Sequence, residues 1–276
     1  MNANTLTVAC EKGGVGKTTT AINLAPLFVK NLDFKVLMID LDNQANLTRS
    51  LTGEDRSSWE NNGLYELVYE MLQKNADPHK FVSHTNYSGI DLIPANTKTQ
   101  KIDARLEEYS SVCGMPPYVF IKEAIKTLSE DYDLIIVDTP TNKGTMLLSG
   151  LYMSNEVLIP CKADAHSFNG VISIFTMLDD LKRENPNDFD SSVVGIVQTI
   201  VEKVAITQLV REEYLKANYP AFLLETMIRK ANAVNESTFS DTIPSISSQN
   251  SNVKKDYEAL YSEIASIMNL VKKAGK

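Results

Sequence analysis

The sequence predicts an α/β fold, a mostly parallel, doubly wound sheet with helices on both faces. Two observations carry this reading. Short apolar runs alternate with segments of helical spacing along the chain, the pattern of successive βαβ units. The first apolar run also passes straight into Glu11-Lys12-Gly13-Gly14-Val15-Gly16-Lys17-Thr18-Thr19, a strand–loop–helix junction built to hold phosphate.

The elements follow in order. Residues 5–10 read as a buried strand and 17–31 as a helix, with Pro26 inside it expected to kink or shorten it. Residues 35–40 form a second strand. Leu64, Leu67, Val68, Met71 and Leu72 give 64–73 helical spacing. Residues 89–94 are a short strand closed by Pro94, and 97–109 and 118–129 are helical, separated by Gly114-Met115-Pro116-Pro117. Then come a strand at 133–138, a helix at 144–153, a strand at 156–160, a helix at 168–184 stopping near Pro186, and a strand at 193–197. Helices are expected at 205–217 and 253–272, the latter packing through Val253, Tyr257, Leu260, Tyr261, Ile264, Ile267 and Met268. The Ser-, Thr- and Asn-rich stretch 235–252 reads as a loop. No repeat or linker divides the chain, so one domain over residues 1–276 is expected.

Composition narrows the class. The chain is 43% hydrophobic and 22% charged, ordinary for a globular protein. No run approaches the roughly 20 apolar residues of a spanning helix, and no basic-then-apolar leader opens the sequence. Cys10, Cys113 and Cys161 are scattered, which fits a reducing cytoplasm better than disulfides or a metal cage; Cys10 and Cys161 are expected to be buried. His79, His84 and His166 lack metal-ligand spacing, and Trp59 reads as a packing residue. The net charge of −8 argues against a uniformly basic nucleic-acid binder. Residues 200–276, however, hold 10 basic against 9 acidic residues. A basic surface would therefore draw on that quarter, pooling Arg211, Lys216, Arg229, Lys230, Lys254 and Lys255.

The glycine-rich loop carries the chemistry. Its backbone N–H groups converge on phosphate oxygens. Gly13, Gly14 and Gly16 permit the turn and the close approach. Lys17 reaches the terminal phosphates, and the Thr18 hydroxyl suits Mg²⁺. The first loop position is Glu11 where the general pattern has glycine, and a second lysine, Lys12, precedes the glycines. Asp138 ends an apolar strand at the carboxyl edge, where open α/β sheets bind ligands, and can hold Mg²⁺ directly or through water. Asp40 and Asp42 are two apart on an extended strand end, so their side chains diverge, one toward the metal region and one toward the γ-phosphate.

Three motifs in this order resemble the ParA/MinD ATPases. Lys-Gly-Gly-Val-Gly-Lys-Thr-Thr at 12–19 resembles their deviant Walker A loop. Residues 36–48, an apolar strand followed by Asp40-Leu41-Asp42-Asn43-Gln44-Ala45-Asn46-Leu47-Thr48, resemble their second motif, in a form nearer the ParA partition branch than MinD. Leu134-Ile135-Ile136-Val137-Asp138-Thr139-Pro140 resembles their Walker B strand. The resemblance implies a P-loop ATPase that takes ATP and Mg²⁺, with Lys12, Gly13, Gly14, Val15, Gly16, Lys17, Thr18 and Thr19 around the nucleotide. Thr18, Asp40 and Asp138 would serve the metal. Lys17 and Asp42 would be catalytic, Asp42 by positioning or activating the attacking water. Lys12 would reach across an ATP-sandwich homodimer and act in trans, like an arginine finger.

The resemblance further implies a slow ATPase that partitions DNA. It would bind nonspecific DNA on the nucleoid as a dimer and be released when a centromere-binding ParB-type partner stimulates hydrolysis. The chain departs from the family at Thr141-Asn142-Lys143, where Lys143 stands in place of an apolar residue. Asn232 likewise stands in a loop after a late strand, at 227–232, where another arginine is common. With the first strand at residue 5, no N-terminal helix-turn-helix is expected. The alternative is a MinD-like membrane-cycling ATPase, but residues 264–273 are only mildly amphipathic and lack Phe or Trp anchors. A nitrogenase-iron-protein-like role would need paired cysteine ligands, which are missing, and no acceptor domain of a small-molecule kinase is visible.

Overall fold

The computed structural model describes residues 3–74, 77–202, 208–231, 243–247 and 252–273. The strands are β1 (Asn4–Val8), β2 (Val36–Asp40), β3 (Ser83–His84), β4 (Ile90–Ile93), β5 (Leu134–Asp138), β6 (Glu156–Lys162), β7 (Ser192–Val201) and β8 (Leu223–Arg229). They form one sheet in the order β3-β4-β2-β5-β1-β6-β7-β8. Every pairing is parallel except that of the edge strand β3 with β4. The helices are α1 (Lys17–Leu32), α2 (Asn46–Thr52), α3 (Leu64–Leu72), α4 (Ile102–Cys113), α5 (Phe120–Ala124), α6 (Thr145–Tyr152), α7 (Ala165–Glu184), α8 (Val210–Lys216), α9 (Pro244–Ser247) and α10 (Asn252–Ile267).

The central strands are continuously apolar because both faces are covered. Alternate residues enter opposite layers. Leu37, Ile39, Ile135 and Val137 pack with α3 to α7 on one side. Val36, Met38, Leu134 and Ile136 pack with α1, α2 and α10 on the other. Cys10 and Cys161 are fully buried, as their runs imply.

Several elements depart from expectation for identifiable reasons. α1 continues through Pro26 over its full 16 residues. An interior proline costs about 3 kcal/mol, but every residue from Thr20 to Phe28 is buried, and that packing holds the helix together. The segment 118–129 is not one helix: Pro117–Val119 and Lys126–Glu130 are 3₁₀ turns flanking α5. α10 ends at Ile267, not 272. There Asn269 takes a left-handed φ of 53° and the Leu270 N–H bonds the Ala265 carbonyl, a Schellman-type stop. Ile267 is 48% exposed and does not pack. Within the loop expected at 235–252, residues Pro244–Ser247 make a helical turn, anchored where the Ser245 N–H donates to the Asn23 Oδ1. Residues 235–242 and 248–251 of that loop, and Asn232 before it, lie outside the described residues. Sequence reading missed α2, β3 and the extent of β8; Met227–Arg229 belong to the strand, not to a loop after it.

The sheet places the site. Because the inner strands are parallel, their carboxyl ends lie on one edge, with Val8 beside Asp138 and Asp138 beside Asp40 in register. β1 sits between β5 and β6, so the loop leaving it emerges at the centre of that edge.

One close approach fixes the far side. A register shift between β6 and β7 sets Gly195 opposite Leu158, and a Cβ at Gly195 would overlap the Leu224 side chain of β8. Gly195→Ala should therefore destabilise the protein by about 1–3 kcal/mol, read as a lower urea midpoint. An unchanged midpoint would show that β8 gives way freely.

Candidate active site

The loop between β1 and α1 turns on Gly14 (φ 71°) and Gly16 (φ 85°), both in the left-handed region that glycine enters without penalty. Gly16 caps α1, so the helix N-terminus and its free N–H groups face the loop's concave side. Val15 is buried, and its carbonyl accepts a hydrogen bond from the Thr199 hydroxyl of β7 at 2.7 Å. That tie fixes the loop from outside the motif.

Lys17 is buried, and its Nζ donates to the Lys12 carbonyl at 3.3 Å. Burial lowers its pKa, opposed by the charges of Asp138, Cys10 and Asp42. The Thr18 hydroxyl donates to the Asp138 Oδ2 at 2.6 Å. Asp138 is fully buried, and its Oδ1 has no hydrogen-bond partner. Burial, then the neighbouring charge of Asp40, raises its pKa well above the usual carboxylate range. A buried carboxylate oxygen without a partner, beside a hydroxyl and opposite a phosphate cradle, fits a hard dication. Among the described residues no group of three His, Cys, Asp or Glu side chains forms a metal cage. Such an ion would complete its shell with phosphate and water, as Mg²⁺ does.

Asp40 is held by donors of its own turn. It is fully buried, its Oδ2 accepts from the Thr48 N–H at 2.9 Å and hydroxyl at 2.7 Å, and its Oδ1 accepts from the Asp42 N–H at 3.1 Å. These bonds commit both oxygens to anchoring the turn into α2. Burial still pushes its pKa up to about 7, against those hydrogen bonds. Asp42, at the tip of the same turn, is half-buried and accepts from the Gln44 N–H at 3.0 Å. Its charge acts on both Lys17 and Asp138.

Lys12 is half-buried at the start of the loop. Beside it, α7 comes so close at Gly170 that a Cβ there would meet the Cys10 Sγ at 2.9 Å. A lone glycine inside a helical run is the signal for such an approach. The two departures from the motif pattern meet: Lys143 Nζ lies 3.3 Å from Glu11 Oε1, joining the loop to the segment after β5.

A pocket of about 530 Å³ opens beside the cradle, between the ends of β7 and β8. Thr19, Ile200, Ile228, Ala231 and Tyr257 give it an apolar interior suited to a nucleobase. Ile200 has a φ of 54°, a conformation that costs a β-branched residue about 1–3 kcal/mol and marks functional sites. Nothing in the sequence near Ile200 announces this, and Tyr257 reads there only as a helix packing residue.

The six basic residues differ in how far other groups already engage them. Arg211 donates to the Leu224 carbonyl at 3.0 Å and is mostly buried, so it is a structural tie of α8 to β8. Arg229 is bound by Asp256 through its backbone N–H and guanidinium. Leu224 and Arg229 are five residues apart on β8, roughly 16 Å. Lys216 pairs with Glu212, and Lys230 with Glu202. Lys254 is half-buried and Lys255 exposed, both on the first turn of α10. Arg211 and Arg229 therefore leave the set available to a polyanion.

A family model described as an AAA domain matches residues 3–191, more than half the chain. The chain belongs to this family, in its ParA-type branch. It is 26% identical over 197 residues to the sporulation initiation inhibitor protein Soj of Bacillus subtilis, covering 71% of this chain and 72% of that one. It is 29% identical over 240 residues to the chromosome-partitioning ATPase Soj of Thermus thermophilus, covering 86% of each. Among solved structures it is similar to a Cyanothece McdA variant in complex with ATP, with a TM-score of 0.80 and 23% identity over 100% of this chain and 99% of that one. It is similar also to cobyrinic acid a,c-diamide synthase of Mycobacterium smegmatis with bound ADP and magnesium, with a TM-score of 0.77 and 22% identity over 97% and 96%. Proteins of different function share this fold, so function has to be argued from the site.

Asp40 yields a pH prediction. Folded Asp40 keeps its proton up to about pH 7, whereas an unfolded aspartate releases it near about pH 4. The folded state binds the extra proton in that window, so this group's contribution is complete below it and is lost as pH rises to about 7. Between about pH 5 and about pH 7.5 the urea midpoint of wild type should fall more than that of Asp40→Asn. Parallel slopes would contradict the assignment.

Proposed function

We propose that the chain is an ATP-dependent DNA-partition ATPase, forming one P-loop ATPase domain over residues 1–276. It would convert ATP and water to ADP and phosphate slowly until a ParB-type, centromere-bound partner stimulates it. The observation that carries the reading is the Thr18–Asp138 contact beneath a helix-capped glycine loop, with buried Lys17 facing the same space. The ATP of the McdA complex and the ADP and magnesium of the synthase, proteins of the same fold, support ATP and Mg²⁺ as ligands.

Each residue's work follows from its place. The loop N–H groups and the α1 N-terminus hold phosphate oxygens, and Lys17 neutralises the terminal phosphate. Thr18 and Asp138 would hold Mg²⁺, which when bound screens charge on the phosphates. Asp42 orients the attacking water from the tip of its turn; positioning of this kind is worth roughly 10²–10⁴-fold in rate. Asp40 keeps that turn in place through Thr48. Lys12 reaches the partner protomer's nucleotide, supplying charge where it develops in phosphoryl transfer. Lysine does so as a point charge rather than a fork, in keeping with slow basal turnover.

The dimer would bind nonspecific DNA through surface lysines of the C-terminal quarter, Lys216, Lys230, Lys254 and Lys255, and would reside on the nucleoid in the cytoplasm. The membrane-cycling alternative finds little support. The apolar face of α10 packs into the core through Val253, Tyr257, Leu260 and Ile264, with Tyr261 edge-on to Phe28.

The test is DNA retention. Wild type with ATP should hold a duplex of any sequence at low salt and release it as salt rises, by nearly one log unit of affinity per log unit of salt for each phosphate contact. Lys12→Ala should bind ATP yet neither dimerise in sedimentation nor retain DNA. DNA retention by Lys12→Ala equal to wild type would remove the trans role. Binding to anionic vesicles in place of DNA would transfer the reading to membrane cycling.

A further inference from the structure

We infer that Asp256, through its clasp on Arg229, is a positioning residue for the base pocket; the inference rests on the nucleotide reading above. Asp256 lies on the first turns of α10 with its side chain 9% exposed. Its carboxylate accepts the Arg229 backbone N–H at 3.0 Å and Nε at 2.9 Å, and Nη2 besides. Nη2 also reaches the Asn252 carbonyl at 3.4 Å. A fork held on two sides by one carboxylate, with a backbone bond added, fixes direction as well as distance.

The clasp acts where the sheet is least able to hold itself. β8 is the last strand of the sheet, and its pairing with β7 is irregular on both sides of Gln198. α10 supplies what a ninth strand would have supplied. Glu263 accepts the N–H groups of Glu225 and Thr226 at 2.8 and 3.0 Å, and two helical turns earlier Asp256 accepts that of Arg229. Residues seven apart lie on one face of a helix, so both carboxylates meet the same strand edge. The end of the strand that Asp256 secures is the one that carries Ile228, Arg229 itself, Lys230 and Ala231 into the pocket wall. The next residue of the helix, Tyr257, is 1% exposed and lines the same pocket. One turn of α10 thus sets the wall and the aromatic surface together. Across from it stands Ile200 in its left-handed conformation, a wall that regular strand pairing does not hold in place.

The phosphate cradle is held separately, by Thr199 on the Val15 carbonyl and by the Gly16 cap of α1. Loss of the clasp should therefore move the base subsite and spare the phosphate subsite. This separation is what distinguishes positioning from general stability.

The experiment measures affinities for ATP and for inorganic tripolyphosphate, each with Mg²⁺, in wild type, Asp256→Asn and Arg229→Lys. Asparagine keeps the shape but not the charge, and lysine keeps the charge but not the fork. Both variants should lose about tenfold in ATP affinity while tripolyphosphate affinity stays within about twofold. A parallel loss of both ligands would make the clasp a mere stabiliser and overturn the inference. Unchanged ATP affinity in both would overturn it too. Should Asp256→Asn fail to fold, as circular dichroism would report, Arg229→Lys decides by the same two affinities. Failure of wild type itself to bind ATP would remove the nucleotide reading, and this inference with it.

Discussion

A carboxylate held fully inside the protein with one oxygen unpartnered is the constraint on which the rest of the structure turns. Asp138 ends a strand enclosed between β1 and β2, with layers of helices on both faces. Water cannot reach it, and Thr18 satisfies only one of its oxygens. Leaving such a group ionised and unpaired is costly. The loop from β1 brings Lys17 to the same point, and the α1 N-terminus adds its partial positive charge. A dication with a polyphosphate would give the unpartnered oxygen, the lysine and the helix end their counter-charges at once.

The remaining features serve this point at increasing distance. Asp40 spends its carboxylate on Thr48 and so fixes the turn that presents Asp42. Thr199 holds the loop from β7, and α7 closes on its start at Gly170. Glu11 and Lys143, each unusual for its motif position, form a pair across the loop. That pair is largely exposed and contributes at most about 1 kcal/mol. Its interest is that a change in one motif is matched by a change in the other.

Much of this was legible in the sequence because the governing signals are local. Glycines before Lys17-Thr18 specify the loop, and unbroken runs of four apolar residues, each closed by an aspartate, specify β2 and β5. What sequence reading missed depends on contacts between distant residues. Pro26 was expected to damage α1, but its burial within that helix is a tertiary fact. Arg229 read as a free cation because Asp256, which binds it, lies 27 residues away on another element. Nothing beside Asp40 in the motif reveals that the Thr48 N–H and hydroxyl, eight residues on, both donate to its Oδ2. Ile200 carries no signal at all, since its strain belongs to the irregular β7–β8 pairing.

The central claim is that Asp138 and Thr18 form the cation subsite of a phosphate cradle. It is tested most directly by titrating ATP into wild type and Asp138→Asn with and without Mg²⁺. Mg²⁺ should tighten ATP binding to wild type by about tenfold or more. The variant should bind ATP without Mg²⁺ at least as well as wild type, because a buried negative charge has gone, and should gain almost nothing from the cation. An undiminished Mg²⁺ effect in Asp138→Asn would place the cation elsewhere and contradict the account.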